Sequence, residues 1–246
     1  MIGAISGADV LDIRKLHASM GDTSNPLFWH PGATGESSTL FLDADALAAS
    51  GTGAQKGVYK KSRASFRKIE KEGVRLVEAA SAGERLEILE TLMVHREQRF
   101  NSLGRRNTLK QDNRENFYRA LAAQPGRDNP LKVLALKTDT SIVAAVAMLV
   151  NEGHLNGILI SIGAEQWHRY SPGMVMLVQS LYWARDNNMK IYNFGAGLQA
   201  YKSRFGATEQ PTRRLLLPLN AKGWAAITAV KARQHAKEML KAFKAD

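Results

Sequence analysis

The spacing of apolar positions changes several times along the chain, and each change marks an element. Over 56–72, "KGVYKKSRASFRKIEKE", Val58, Ser62, Phe66 and Ile69 fall on one helical stripe, which predicts an amphipathic helix carrying seven Lys or Arg. "VRLVEA" (74–79) alternates as a strand does. Ser81 and Glu84 then make an S-x-x-E capping box, and Leu86, Leu89, Met93 and Phe100 continue a helix to about residue 100. "SLGRRN" breaks it. "RENFYRALAAQ" (114–124) is a second helix, stopped by Pro125-Gly126. Next, "LKVLALKT" and "SIVAAVAMLV" flank an Asp139-Thr140 hairpin turn, and "NEG" (151–153) turns into "HLNGILISIGAE". This is a three-stranded antiparallel meander. Its middle strand is apolar on both faces, as a strand covered by helices on both sides requires.

Ser171-Pro172-Gly173 predicts a helix start, with Ser at the N-cap and Pro at the first helical position. Met174, Val178, Leu181 and Tyr182 form its apolar face, and "RDNN" ends it. "KIYNF" is a strand, "LQAYKSRF" a short helix and "TRRLLLPL" a last strand. The tail 222–244 is a basic amphipathic helix. From residue 74 the order is β α α β β β α β α β. Residues 1–55 are weakly periodic and rich in Gly, Ser, Thr and Pro. One strand candidate, "TLFLDA", lies within them, and the stretch is expected to be irregular or part of a subdomain.

The net charge of +11 favours polyanionic partners: phosphate-bearing cofactors, nucleic acid or an anionic membrane face. The chain has no cysteine, which excludes disulfides, thiolate nucleophiles and Cys-based zinc sites. Its six histidines form no HxxxH or HExxH pair, so no metal is expected. The longest apolar run, "IVAAVAMLV", is too short to span a bilayer. The N-terminus lacks the basic and apolar regions of a secretory signal, and a cytoplasmic location is expected.

The stretch "NFGAGLQAYKSRFG" (193–206) concentrates glycines, a phenol and cations at a strand end. Gly195-x-Gly197-x-x-Ala200 matches the dinucleotide-binding pattern. That pattern belongs to the first βα unit of a doubly wound sheet with an acid about 20 residues on. Here that region reads "LLLPLN", and too little chain remains downstream to build a parallel sheet.

The strand order, together with "YSPGMVMLVQSLYWARDNNMKIYNFGAGLQAYKSRFGA", resembles the GNAT acyltransferases, in particular CelD-like proteins of cellulose biosynthesis. "YKKSRASFRKIEKEG" is similar to a basic segment upstream of their catalytic half. Fem-type aminoacyl transferases are similar in organisation. The resemblance implies an α+β fold, a mixed, mostly antiparallel sheet flanked by helices. It implies a catalytic domain over 56–220, preceded by a remnant (1–55) of an N-terminal half and followed by the basic helix 221–246. It also implies acyl-CoA, such as acetyl-CoA, as co-substrate, and an amine or hydroxyl of a small or sugar-linked molecule as acceptor.

Residue by residue, the cofactor is expected at the helix start: Ser171, Pro172, Gly173 and Met174, with Arg169 and Ile162 beside them. Free N–H groups and the positive dipole end there suit a pyrophosphate. The GNAT pyrophosphate loop reads R/Q-x-x-G-x-G/A, and Arg169 stands one position too far from Gly173 to match it, so the location carries over and the motif does not. Tyr201 is expected to protonate the departing thiolate, since a phenol stays protonated at neutral pH. Lys202 is expected to meet a phosphate or an acidic acceptor, and Glu165, with His168 close by, to take the acceptor's proton. Asn193, where the family usually has an acid, Gly195 and Arg204 are expected at the substrate. Two further readings follow: a Fem-like transferase using aminoacyl-tRNA, which the charge and the basic helix favour, and a non-catalytic scaffold in exopolysaccharide synthesis.

Overall fold

A computed structural model describes residues 7–20, 23–50, 56–111, 113–126, 128–196 and 200–243. In chain order the elements are β1 (Val10–Leu16), β2 (Ser19–Met20), β3 (Thr23–Ser24), β4 (Ala33–Asp43), α1 (Ala44–Ala48), α2 (Lys56–Glu70), β5 (Arg75–Glu78), α3 (Ala82–Ser102), α4 (Arg114–Ala123), β6 (Leu131–Lys137), β7 (Ile142–Asn151), β8 (His154–Ile162), α5 (Pro172–Asp186), β9 (Ile191–Ala196), α6 (Ala200–Ser203), β10 (Thr208–Pro218) and α7 (Ala221–Phe243). A turn of 3-10 helix, Glu165–Tyr170, links β8 to α5. The chain divides into two compact units, Leu40–Glu209 and a second made of Met1–Thr39 with Gln210–Asp246.

Alternation along β6 and β7 sets the layers of the first unit. Leu134, Leu136, Val146 and Met148 face one way and are buried with Val175, Met176, Val178 and Leu181 of α5 and Tyr59 and Ile69 of α2. Val133, Ala135, Ala145 and Ala147 face the other way and are buried with Ile88, Leu89, Leu92 and Met93 of α3. Each fully buried side chain of this kind contributes about 1.5–3 kcal/mol over its exposed state. The sheet therefore has helices on both faces, and β7 is apolar throughout because both faces are covered.

The strand order in this unit is β9-β8-β7-β6-β5. The strands from β5 to β8 pair antiparallel. β8 and β9 pair parallel, over His154↔Ile191, Leu155↔Tyr192 and Asn156↔Asn193. β8 continues beyond that register to Ile162. The result is the mixed, mostly antiparallel sheet flanked by helices that was expected.

Local signals are realised closely. Ser81 Oγ accepts from Glu84 N at 3.2 Å, and Glu84 Oε2 accepts from Ser81 N at 3.2 Å, so the capping box forms at α3. Gln124 has ψ 130°, the extended backbone that a following proline imposes, and α4 stops there.

In the second unit β1 pairs antiparallel with β10, from Val10↔Pro218 to Leu16↔Arg213. Leu16, Phe28 and Leu215 form its core. Of the two expectations for 1–55, irregular structure or part of a subdomain, β1 and β4 overturn the first. β1 escapes the periodicity reading because its register shifts between Ile13 and Leu16, where Lys15 has φ +53°. β4 escapes it because its first half, "ATGESS", is small, polar and largely exposed. Among the described residues no helix is long and apolar enough to cross a membrane.

Candidate functional site

α2 is basic on one side and apolar on the other, and packing on α5 decides where the basic side points. Tyr59, Ser62 and Ile69 are buried, and Arg63 Nη1 donates to Tyr182 Oη of α5 at 3.0 Å. Lys61 and Lys68 are left on the rim of a groove of about 880 Å³ between α2 and the start of α5. Arg204, just after α6, and Tyr170, Ser171 and Met174 also line it. Among the described residues the lining holds three cations and no carboxylate.

The α5 start differs from a simple N-cap. Ser171 sits in the left-handed region (φ 52°, ψ 54°), and its side chain makes no capping bond. Its carbonyl accepts from Met174 N (2.9 Å) and Val175 N (3.2 Å). Pro172 has no N–H. Gly173 is thus the first-turn amide left to meet a ligand among the described residues, fewer than expected. The positive charge lining the groove comes from Lys61, Lys68 and Arg204. Gly173 is buried, and a Cβ there would lie 2.8 Å from Ile162 Cδ1, so β8 and the helix start are in contact.

Arg169 does not line the groove. It pairs with Glu72 at 3.4 Å and lies over the Tyr170 ring, and Glu72 also accepts from the Tyr170 hydroxyl. The expectation of an Arg169 phosphate contact is corrected accordingly: this cation is committed to holding the end of α2 against the 3-10 turn.

The β9–α6 turn gathers Asn193, Gly195 and Lys202. Asn193 Oδ1 accepts from Gly195 N at 2.8 Å. Gly195 has φ +77°, and a Cβ there would lie 3.3 Å from the Gly157 carbonyl of β8. Lys202 is 3% exposed, and its Nζ donates to the Gly195 carbonyl at 3.1 Å. A Lys202 reaching toward a solvent-borne phosphate is therefore corrected to a buried strut, and burial lowers its pKa. Tyr201 is half-buried against the cluster around α5, and burial raises its hydroxyl pKa above the usual 10. Gly197 of the glycine pattern lies outside the described residues.

Glu165 lies elsewhere. With Ile162, His168, His95 and Arg99 it lines a separate hollow of about 500 Å³ at the C-terminal end of β8. The structure thus brings Ser171, Met174 and Arg204 to one groove, and Ile162 and Glu165 to another. Lys61 and Lys68 were signalled by the basic stripe of 56–72. His95 had no signal, because its surroundings come from β7 and β8.

A family model described as "Acetyltransferase (GNAT) domain" matches residues 56–203. No protein of curated function matches the sequence. Among solved structures, the chain is similar to the C-terminal DUF2156 domain of an Agrobacterium fabrum protein assigned as a lysylphosphatidylglycerol synthetase, at 17% identity and TM-score 0.60, over 94% of this chain and 73% of that one. It is similar to L-PGS from Bacillus licheniformis at 13% identity and TM-score 0.54, over 92% and 73%. FemX follows at 11% and 0.58, over 88% and 74%. These identities speak for the fold alone. The family match spans more than half of the chain and coincides with the unit that holds the groove, and the protein belongs to the GNAT acetyltransferase domain family.

Proposed function

We propose that this protein is an acyltransferase that takes its acyl group from acyl-CoA and passes it to an amine or hydroxyl of a small acceptor. One observation carries the reading: among the described residues, a groove lined by three cations and no carboxylate opens at the start of α5, where Gly173 touches Ile162 at the end of β8. Lys61, Lys68 and Arg204 attract the phosphates of the donor, and the Gly173 amide adds one directed bond. β8 runs on to Ile162, past the end of β9 pairing, and its backbone there would meet the amides of a pantetheine arm. The acceptor lone pair attacks the thioester carbonyl, and the C–S bond breaks. Tyr201 protonates the departing thiolate, and its raised pKa keeps that proton available at neutral pH. Glu165 takes the proton that the acceptor loses.

A second reading, an aminoacyl-tRNA donor, is favoured by Lys60, Arg67 and Lys71, which are exposed on and just beyond α2 outside the groove. Titrating acetyl-CoA and bulk tRNA separately decides between them. Acetyl-CoA should raise the melting temperature by mass action, and a Lys61→Ala/Lys68→Ala double variant should lose that shift. Steeply salt-dependent tRNA binding with no acetyl-CoA effect would replace the first reading with the second.

A further inference from the structure

Ile162 lines the hollow at the end of β8, and its Cδ1 lies against Gly173, whose neighbours Ser171 and Met174 line the groove. Ile162 therefore links the wall of the hollow to the start of α5, two of whose residues line the groove. The hollow holds opposite charges, Arg99 and Glu165, both exposed. Among the described residues neither forms an ion pair.

His95 lies between them in character. Its Nδ1 is buried with no hydrogen-bond partner among the described residues. A proton on Nδ1 would leave a buried N–H unsatisfied, at about 1–3 kcal/mol, whereas a bare lone pair is tolerated better. The Nε2–H tautomer is therefore favoured, and His95 lines both this hollow and the adjoining one. A second proton would have to go on Nδ1, and burial accordingly lowers the pKa of the ring. The charged and titratable groups facing the ring are Glu87, Lys137 and Asp139 in an adjoining hollow of about 350 Å³, and Arg99, Glu165 and His168 in this one. His168 is occupied in part, with its Nε2 3.2 Å from the Gly163 carbonyl. The His95 ring also packs closely on β8: a Cβ at Gly163 would lie 3.1 Å from its Cε1.

We propose that this hollow binds the acyl acceptor, and that the acceptor is a small amine carrying a carboxylate, an amino acid or the end of a short peptide. Arg99 pairs with the carboxylate, and His95, held neutral, donates to it through Nε2–H. Glu165 receives the ammonium and takes its proton before attack. The assignment rests on the acyltransfer reading.

The test uses the full chain labelled with ¹⁵N-histidine. His95 should show the Nε2–H tautomer and titrate below an ordinary imidazole, which titrates near 6.5. Glycylglycine should shift the His95 signals, and glycinamide, which lacks the carboxylate, and acetate, which lacks the amine, should bind at least about tenfold more weakly. Arg99→Ala and Glu165→Gln, both at exposed positions, should each weaken glycylglycine about tenfold. An Nδ1–H tautomer, a ring that charges at the ordinary pH, or equal binding of the three probes overturns the proposal. Acetyl-CoA binding is read on the same samples, so failure of the donor reading shows separately: the groove loses CoA while the hollow keeps glycylglycine, or the reverse.

Discussion

Lys202 Nζ donates to the carbonyl of Gly195 across 3.1 Å, which ties α6 back to the end of β9. Charge-assisted bonds of this kind are worth about 1.5–3 kcal/mol, so Lys202→Ala should lower the unfolding free energy by about 1–3 kcal/mol in urea melts. The ammonium also carries a sign. Burial depresses its folded pKa below the ordinary 10.5. Between that depressed value and 10.5 the unfolded chain binds more protons, so this group makes stability rise with pH in that window. The stability difference between wild type and Lys202→Met should therefore grow in favour of wild type as pH approaches 10.5. A difference that stays flat, or falls, would show that Lys202 is solvated.

Much of this site is written in local sequence, and the remainder depends on distant partners. Ser171-Pro172-Gly173 marks the start of α5 because proline and a preceding turn act within a few residues. Why residue 173 must be glycine is set by Ile162 on β8. Lys202 reads in sequence as a cation for a phosphate or an acidic acceptor, yet it is 3% exposed and bonded to the Gly195 carbonyl, a partner seven residues away that the local pattern does not reveal. His95 reads as an ordinary residue of α3, and its orphaned nitrogen exists only because β7 and β8 cover it. β6 to β8 were legible as strands because short apolar runs are bounded by the turn residues Asp139-Thr140 and Glu152-Gly153.

Two glycines on the same pathway differ in what limits them. A Cβ at Gly163 would lie 2.4 Å from the Ile142 carbonyl and 3.1 Å from that of Val143, both backbone atoms held in the β7–β8 ladder. A Cβ at Gly173 would meet only the Ile162 side chain, with Cδ1 at 2.8 Å and Cγ1 at 3.1 Å. Gly163→Ala should therefore cost about 1–3 kcal/mol by overpacking. Gly173→Ala should cost less, and Ile162→Val should remove most of that cost. A double-mutant cycle by denaturant titration measures the coupling. Zero coupling between 162 and 173 would refute the contact.

Tyr59 and Tyr192 are both buried, and only one is satisfied. Tyr192 Oη lies 2.8 Å from Ser180 Oγ. Tyr59 Oη has no partner among the described residues. Tyr192→Phe should destabilise by about 1 kcal/mol, and Tyr59→Phe should be neutral or stabilising by a similar amount. Burial pushes the Tyr59 pKa up from 10.0 to about 12. The folded state thus holds this proton longer, and the stability it contributes is present below pH 10 and lost as pH rises toward 12. Tyr59→Phe should flatten that alkaline loss in thermal melts. A destabilised Tyr59→Phe would mean that the hydroxyl has a partner.

Arg169 and Arg204 stand on either side of Ser171 in the sequence reading, yet only Arg204 lines the groove. Arg169 is held by Glu72 at 3.4 Å and by the Tyr170 ring. Its charge is already offset by a neighbour, while Arg204 adds to Lys61 and Lys68. Arg204→Ala should weaken acetyl-CoA about tenfold, the loss of one phosphate contact. Arg169→Ala should change it less than about twofold, since a screened surface pair contributes little. The Arg204 effect should shrink as salt rises from about 0.05 to 0.5 M, because the Debye length falls well below the width of the groove. Equal losses at the two arginines would place the phosphates at the 3-10 turn instead, and would move the donor site off α2.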